Sequence, residues 1–271
     1  KRSKNPGDDA VMVAARTTFF EQQPYAPLAQ KLADVIRTIV PRNAKVNNAS
    51  ELVPRNEYND ALNLIRVYDS GCGEGYYLDA LSACLNHAST HSQLPRFIYA
   101  GHDISKVAVG AASKRNKDKQ FVVASTINLP LQDESQDIIL QVFAPHCAAE
   151  YVRVLKQQGV LITVDPAPNH LYELKALIYD SPQLHDAIES SLPGLLIREE
   201  YPLSFNVTLQ DAATRLALLQ MTPFYWKTKE QQRRVIEQEL QSVTADFRIR
   251  VWQREDVDMR AQEQQTQHQN K

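Results

Sequence analysis

The chain has 271 residues, of which 43% are apolar, and a formal net charge of −2. This length is enough for one large domain with a buried core, or for one domain with an appendage. The nearly neutral balance argues against a strongly basic nucleic-acid-binding domain, so any affinity for RNA has to come from a local patch. No apolar run approaches the roughly 18 residues of a membrane span, and no signal peptide is recognised. Cys72, Cys84 and Cys147 have no paired spacing, which predicts neither a disulfide framework nor a zinc site and fits a reducing cytosol.

The first part of the chain predicts two helices. Apolar residues recur at helical spacing in residues 6–23, at Met12, Ala15 and Phe19. A proline-rich turn that contains Tyr25 ends this helix, and residues 28–40 predict a second one. Residues 43–60 are largely polar and are expected to be an insertion. Residues 1–62 are therefore assigned to an N-terminal helical extension.

A glycine-rich loop is the most informative feature of the sequence. An apolar run ends at Asp69 and opens into Gly71-x-Gly73-x-Gly75, which is typical of a buried strand that turns sharply into a helix. Such a loop at the carboxyl end of a parallel strand is where open α/β sheets bind nucleotides. Tyr76 stands where a dinucleotide fingerprint needs a small residue, and no Gly-Lys-Ser/Thr of a P-loop is present. The spacing favours a cofactor without phosphates, with an ordinary strand-to-helix turn as the alternative.

The segments that follow alternate between strands and helices. Residues 97–100 predict a second strand that leads to Asp103, an acid placed to accept hydrogen bonds from ribose hydroxyls. Further strands are predicted at residues 121–124, 137–143 and 159–165, with helices at 106–114 and 148–156. The loop after the strand at residues 121–124 begins with Ser125 and can reach an adenine edge. This alternation predicts an α/β fold with a doubly wound, mostly parallel sheet.

The last third of the chain adds helices and two more strands. Helices are predicted at residues 170–179, 209–221 and 229–243, a polar helix or loop at 182–193, and strands at 201–207 and 247–252. Residues 255–271 are charged, rich in glutamine and without periodicity, which predicts a disordered tail. Residues 63–254 are therefore expected to form the cofactor-binding domain.

Residues 69–168 resemble a class I S-adenosylmethionine (SAM)-dependent methyltransferase. More narrowly, residues 1–254 resemble the bacterial 23S ribosomal RNA (guanine-N1)-methyltransferase family. The matching segments are residues 1–8 with Pro6-Gly7-Asp8, residues 71–77, 103–108 and 170–175, the Gln-Met-Thr-Pro-Phe segment at 220–224, and residues 252–254. The resemblance implies a seven-stranded sheet whose closing strand runs antiparallel.

The sequence departs from that family in three places. The family begins with a small zinc ribbon, and this chain opens where the ribbon should have just ended. Zinc is therefore expected only if a ribbon exists in the full-length protein. Ser70 stands where the family prefers an apolar residue, and both the insertion at 43–60 and the turn at 156–159 differ from its pattern.

The resemblance also assigns residues to the SAM site. Asp69 is expected to fix the glycine loop and reach the amino-acid end of SAM, and the amides around Gly71, Gly73 and Glu74 to meet its carboxylate. Asp103 is expected at the ribose and Ser125 near the adenine. The residues implied to lie against SAM by the resemblance alone are Tyr25 and His170. No metal ligand is predicted, since His87 and His91 have the spacing of a metal pair but no third ligand and are expected in a solvent-exposed loop.

No catalytic residue is assigned from the sequence. Guanine N1 carries a proton, so a base or a stabilised guanine anion is needed. His146 and Asp165 end strands at the expected edge and are the titratable candidates. Aromatic residues could stack on the target base, although core packing is expected for most of them; they are Phe143, Tyr172, Phe224, Tyr225 and Trp226.

The expected partner is 23S rRNA or a precursor of the large subunit, in the cytoplasm and without a membrane. A homodimer is left open. Basic patches for RNA are sought at the start of the chain, at residues 114–119, and at residues 227–250. The alternatives are a SAM-dependent methyltransferase of small molecules and a ribosome-associated protein that keeps the fold without turnover.

Overall fold

The computed structural model describes residues 7–44, 64–87, 95–185 and 191–255. The helices in these ranges are α1 (Ala10–Glu21), α2 (Ala26–Ala44), α3 (Tyr76–His87), α4 (Lys106–Arg115), α5 (Ala148–Val154), α6 (Tyr172–Ile178), α7 (Ala212–Gln220), a 3₁₀ helix (Pro223–Lys227) and α8 (Glu230–Glu239). The strands are β1 (Leu64–Ser70), β2 (Arg96–Asp103), β3 (Gln120–Val123), β4 (Gln136–Val142), β5 (Leu155–Pro166), β6 (Leu195–Thr208) and β7 (Ser242–Arg254).

The described strands form one seven-stranded sheet in the order β3-β2-β1-β4-β5-β7-β6. Strands β1 to β5 are parallel, and β7 lies antiparallel between β5 and β6. The predicted doubly wound, mostly parallel α/β fold is confirmed, including the antiparallel closing strand. The strand order reverses at β1, whose neighbours are β2 and β4, and a crevice at such a switch point is where open α/β sheets bind ligands.

Both faces of the central strands β4 and β5 are buried. Side chains alternate along each strand, so Ile138 and Leu140 of β4 pack into one hydrophobic core while Ile139 packs into the other. The first core also takes the apolar faces of α1, α2 and α3, and the second takes α5 and Trp252. Continuous burial of this kind is what a parallel sheet with helices on both sides requires.

Strands β6 and β7 extend past the carboxyl end of β5. Pairing of β5 with β7 ends at Pro166 and Phe247, whereas β6 and β7 remain paired as far as Thr208 and Ser242. The excess, residues 242–246 of β7, adds about 17 Å at the usual rise of a strand. Strand β6 runs parallel to β5, so the α7–3₁₀–α8 segment leaves and rejoins the sheet at the edge where the parallel strands end.

Several predicted element boundaries are wrong; the strand expected at 201–207, for example, begins at Leu195. The helix expected at 229–243 ends at Glu239, and residues from Ser242 onward pair with β6. Val243, Ala245 and Phe247 are all buried at alternate positions, so burial against the core overrides the helical propensity of the preceding segment. The helix expected at 148–156 ends at Val154, and β5 starts at Leu155.

Several predictions fall on residues outside the described ranges. They are the basic residues at 1–4, most of the insertion at 43–60, His91, part of the segment at 182–193 and the tail after Glu255. None of the helices that the structure describes is long and apolar enough to cross a membrane.

Candidate cofactor site

The glycine loop joins β1 to α3 in a conformation that side chains resist. Gly71, Gly73 and Gly75 have φ angles of +83°, +53° and +83°. A Cβ on Gly71 would lie 2.4 Å from the Cβ of Ala144, which follows β4. The amides of Gly71 and Cys72 both donate to the carbonyl of His102, at 2.9 and 2.8 Å. The loop is therefore fixed between the ends of β2 and β4.

Asp103 ends β2 and bonds to backbone amides with both carboxylate oxygens. Oδ2 accepts from the amide of Gly73 at 3.0 Å, and Oδ1 accepts from the amide of Ser105 at 2.8 Å. Each oxygen of a carboxylate has more than one acceptor position, so Asp103 keeps capacity for a ligand hydroxyl. This acid is placed as the sequence predicts, beside the glycine loop.

Two further acids lie beneath the loop. Asp69 is 1% exposed, and neither of its oxygens has a hydrogen-bond partner among the described residues. Burial, together with the negative charges of Asp103 and Glu74, raises the pKa of Asp69 to about 8. Burial also raises the pKa of Glu74, against the opposing effect of the Arg16 guanidinium. A buried carboxyl without a partner is costly unless a ligand or water satisfies it.

A cavity of about 400 Å³ opens above the loop. It is lined by residues 7–8, Arg16, Gly71, Gly73 and residues 102–104, 125–127 and 142–146. These segments follow β1, β2, β3 and β4, or come from the start of the chain, so the cavity occupies the switch point of the sheet. Its volume lies within the range of about 300–1,000 Å³ that is usual for small-molecule sites.

The N-terminal segment forms one rim of this cavity. Arg16 and Asp8 form an ion pair at 2.8 Å, and the hydroxyl of Ser105 donates to the carbonyl of Asp8 at 2.6 Å. Gly7 has a φ of +86°, and a Cβ there would lie 2.7 Å from Cγ2 of Ile104. Gly7 and Asp8 are thus held against the turn after β2, where a side chain at position 7 would clash with Ile104.

An aromatic layer lies behind the end of β4. The ring of Phe143 lines the cavity, is 39% exposed and has a φ of +53°, a left-handed conformation that is costly for a residue with a side chain. It stacks on the ring of His170, with the centroids 5.8 Å apart. Behind them, Tyr25 is 1% exposed and contacts the ring of Phe247 at 5.2 Å, and its hydroxyl has no partner in the described part of the chain.

His170 is held in a neutral form. Burial, reinforced by the positive charges of His185 and Lys175, lowers the pKa of its imidazole to about 3. Its Nδ1 accepts from the amide of Asp246 at 3.4 Å. His170 therefore acts in this structure as an uncharged packing and accepting group behind Phe143.

The two titratable candidates at the strand ends differ in position. His146 is exposed and lines the cavity. Asp165 does not line the cavity; it pairs with the buried guanidinium of Arg250 at 3.3 Å, and Arg250 also bonds to Glu200 at 2.8 Å. Burial raises the pKa of Asp165, an effect that Arg250 and His146 oppose.

Of the eight predicted site residues, four line the cavity and four lie behind it. The first group is Gly71, Gly73, Asp103 and Ser125, and the second is Tyr25, Asp69, Glu74 and His170. Sequence reasoning missed two exposed apolar side chains that line the cavity, Ile104 and Ile127, which are 41% and 76% exposed. Isoleucine in an otherwise polar turn after a strand was the available signal.

The expectation that most of the candidate aromatic residues pack in the core is wrong for three of the five. Phe143, Tyr172 and Trp226 are all exposed. Phe224 and Tyr225 are half-buried against the core. The exposed rings are therefore available to a ligand.

The residues present fit an adenosine cofactor with an amino-acid end. Amides and small glycines approach from below, Asp103 offers acceptors at one side, and Ile104 and Ile127 provide apolar surfaces for a flat ring. The unpartnered carboxyl of Asp69 suits a cationic group nearby. No group of three or more His, Cys, Asp or Glu side chains in the described ranges could hold a metal ion.

Comparison with known proteins supports the class that this fold and site define. Residues 68–163 match the methyltransferase domain family. The 3-2-1-4-5-7-6 sheet, the glycine loop at its switch point and this matched region are all similar to the class I SAM-dependent methyltransferases.

Within that class, the resemblance to the bacterial 23S rRNA (guanine-N1)-methyltransferases is confirmed by curated relatives. The chain is 35% identical over 165 residues to "Putative 23S rRNA (guanine-N(1)-)-methyltransferase YxjB" of Bacillus subtilis (strain 168), which covers 59% of this chain and 56% of that protein. It is 30% identical over 173 residues to the 23S rRNA (guanine(748)-N(1))-methyltransferase of Streptomyces fradiae, covering 64% and 52%. The chain thus spans about half the length of these relatives.

A relative with another name is also similar. The chain is 33% identical over 127 residues to phthiotriol/phenolphthiotriol dimycocerosates methyltransferase 1 of Mycobacterium ulcerans, which covers 43% of this chain and 44% of that protein. The shared region therefore carries the methyltransferase fold rather than one substrate.

Proposed function

We propose that this chain transfers a methyl group from SAM to N1 of a guanine in 23S ribosomal RNA, in the cytoplasm where ribosomes are assembled. The assignment of SAM as the cofactor rests on two acids at the glycine loop. Asp103 is bonded to the amide of Gly73, and Asp69 is buried without a hydrogen-bond partner among the described residues. The relatives named for guanine-N1 methylation support the substrate.

Each predicted site residue receives a role in holding SAM. Asp103 accepts from the ribose hydroxyls, and Ser125 is assigned to the adenine, with Ile104 and Ile127 as the apolar side chains that line the same cavity. Gly71 and Gly73 allow the ligand to approach the main chain closely, but their amides are already bonded to His102 and Asp103, so the amide of Glu74 is assigned to the carboxylate. Asp69 balances the ammonium group from beneath the loop. Tyr25 and His170 act from the aromatic layer, where they support Phe143 against the cavity.

The chain contributes mainly by alignment. Bound SAM supplies a methyl group on a sulfonium, which a nucleophile displaces in line. Holding both reactants in a reactive geometry can lower a barrier by about 7–11 kcal/mol. The cavity at the ends of β1, β2 and β4 has the closed base and the open mouth that such alignment needs.

Guanine N1 must also lose its proton. His146 lines the cavity and is exposed, so it can reach a base that enters through the mouth. Asp165 is held by Arg250, so its carboxylate is already engaged. Of the two candidates, His146 is therefore the better placed to accept the proton.

The target guanine has to leave any base pair to enter this cavity. The half-exposed ring of Phe143 faces the space that the base would occupy, and its left-handed backbone keeps it there. We assign Phe143 to stacking on the base, because aromatic side chains commonly hold unpaired RNA bases in this way.

A second candidate is methylation of a small molecule, which the similarity to the mycobacterial phthiotriol methyltransferase favours. That reading keeps the same SAM site and changes only what enters the mouth of the cavity. An apolar lipid would meet Phe143 and Ile127, two apolar side chains that line the cavity.

Methyl transfer in vitro separates the two candidates. Purified protein is incubated with labelled SAM and either 23S rRNA transcript or a lipid and small-molecule extract, with Asp103→Ala as the control for SAM-dependent signal. The proposal predicts label in rRNA and a new reverse-transcription stop, because N1 methylation blocks the pairing edge. Label in the extract with none in rRNA would favour the small-molecule candidate.

A further inference from the structure

The 3₁₀ helix at Pro223–Lys227 presents an exposed indole from a rigid turn. Trp226 is 65% exposed, although large aromatic side chains are usually mostly buried. The turn beneath it is firmly held: the hydroxyl of Thr228 donates to the carbonyl of Phe224 at 2.8 Å, and Arg233 donates to the carbonyl of Tyr225 at 3.3 Å. The guanidinium of Arg233 also lies over the Tyr225 ring at 4.2 Å.

Two lysines flank this indole. Lys227 and Lys229 are both exposed. The nearest acid in sequence, Glu230, forms its ion pair with Arg234 at 2.6 Å. Neither lysine is paired with a carboxylate in the described ranges, so both charges are available to an anionic partner. Trp226, Lys227 and Lys229 are called the Trp226 surface below.

The Trp226 surface belongs to the edge of the sheet where the cavity opens. The α7–3₁₀–α8 segment leaves β6 at Thr208 and rejoins β7 at Ser242, both beyond the carboxyl end of β5. The side chain of Gln232 donates to the carbonyl of Ile178 at 2.8 Å and so fixes α8 to α6, the helix that follows His170. The cavity and the Trp226 surface therefore lie toward the same edge of the sheet.

From this juxtaposition we infer that the Trp226 surface binds single-stranded RNA next to the methylated guanine, with an unpaired base stacked on the indole and phosphates at the two lysines. The inference rests on the proposed function and names a contact for its substrate. Stacking of unpaired bases on aromatic rings beside basic side chains is the general mode of single-stranded recognition. A protein interface is a poorer fit, because lysine is depleted in such interfaces.

Tryptophan fluorescence provides a direct probe. The chain has two tryptophans, and Trp252 is 2% exposed and bonded to Thr163. Stacking on RNA should quench the emission of Trp226 while that of Trp252 persists. An rRNA hairpin without SAM serves as the titrant, so the measurement does not require methyl transfer.

Kinetic variants complete the test. A stacked base contributes about 1–3 kcal/mol, or roughly 5- to 150-fold in affinity. Trp226→Ala should therefore raise KM for the RNA by at least about 5-fold, with kcat and the Kd of SAM within about 2-fold, and Trp226→Phe should restore much of the loss. Lys227→Ala with Lys229→Ala should lower the slope of log Kd against log salt by about 1.4, at 0.7 per phosphate. Arg96→Ala removes an exposed positive charge at the start of β2, the opposite edge of the sheet, and should have little effect.

The outcomes are separable. Unchanged KM and absent quenching in a protein that methylates rRNA would overturn the Trp226 surface and leave the proposed function intact. Quenching without any methylation of rRNA would support the surface and count against the proposed function. If light scattering shows that wild type is a dimer and Trp226→Ala a monomer, the Trp226 surface binds a second copy of the chain. That result would overturn the RNA inference.

Discussion

Oδ2 of Asp103 accepts a hydrogen bond from the amide of Gly73 at 3.0 Å, so the acid that ends β2 holds the loop that follows β1. The same acid contributes to the raised pKa of Asp69 beneath that loop. Asp103 therefore has three connected effects: it is the expected ribose acceptor, it orients the glycine loop, and it disfavours the charged form of the buried carboxyl.

Replacing Asp103 should weaken SAM binding through both the ribose contact and the loop. Hydrogen bonds to charged groups contribute about 1.5–3 kcal/mol, so Asp103→Ala is expected to raise the Kd of SAM by roughly 10- to 150-fold in calorimetric titration. Asp103→Asn keeps one acceptor oxygen but turns an amide NH₂ toward one of the two backbone amides. Its Kd for SAM should therefore lie between those of wild type and Asp103→Ala. Asp180→Ala, at an exposed acid, is the control. Equal affinity in Asp103→Ala and wild type would remove the ribose role.

A second prediction concerns the geometry of the glycine loop. Gly71→Ala has to adopt a φ of +83° and place its Cβ 2.4 Å from that of Ala144, so it should lower the melting temperature and abolish measurable SAM binding. Gly110→Ala is the matched control. Gly110 lies inside α4 with no atom within 4 Å of an added Cβ, and the change should stabilise the protein by up to about 1 kcal/mol. Thermal unfolding of both variants, with and without SAM, checks this pair.

The fold was predictable because its determinants are local. Alternating apolar runs and turn signals identify the strands and helices, and the glycine loop with Asp103 marks the switch point. The boundary error at the end of the last predicted helix has a physical cause. At residues 240–243 the sequence continues to favour a helix, and the strand forms there because β6 offers a long partner. Sequence periodicity does not contain that partner.

The site was predictable only where backbone geometry depends on one residue type. The sequence signals the positions of Gly71, Gly73 and Asp103, because the turn needs glycine and the ribose site needs an acid. It contains no such signal for the position of Phe143. Phenylalanine after a buried strand is expected to continue into the core. Its left-handed φ of +53° turns the ring into the cavity, and that turn results from tertiary contacts with His170 and Phe247.

The ring and the backbone strain of Phe143 can be tested separately. Both Phe143→Ala and Phe143→Gly remove the ring, and both should reduce kcat/KM for rRNA at least about 5-fold, the lower end for one stacked base, while the Kd of SAM stays within about 2-fold. Glycine accepts a positive φ without cost, so Phe143→Gly should melt above Phe143→Ala by the equivalent of about 1–2 kcal/mol. A loss of SAM affinity equal to the loss of kcat/KM would instead place Phe143 in the cofactor site.

The buried carboxyl of Asp69 predicts a stability that depends on pH. Its pKa is about 8 in the folded chain against a reference value of 3.8, so between these pH values the folded protein binds a proton that the unfolded chain has released. Stability contributed by this group is therefore lost as the pH rises from about 4 to 8. Asp69→Asn has no such proton, so its free energy of unfolding relative to wild type should rise across this window by at most about 1.4 kcal/mol per pH unit and level off above it. Thermal unfolding of both proteins at a series of pH values measures this difference.

Asp69→Asn should gain stability relative to wild type as the pH rises, but it should bind SAM more weakly than wild type. The ammonium group of the ligand favours the charged form of Asp69, so wild type should release a proton on binding SAM between pH 6 and 8, whereas Asp69→Asn should not. Calorimetric titration in buffers of different ionisation enthalpy measures that proton, and the variant should also bind SAM at least about 10-fold more weakly, as expected when a charge-assisted contact is lost. Asp180→Asn controls for the loss of one negative charge. Proton release that is the same in wild type and Asp69→Asn would assign it to another group and leave Asp69 as a structural acid beneath the loop.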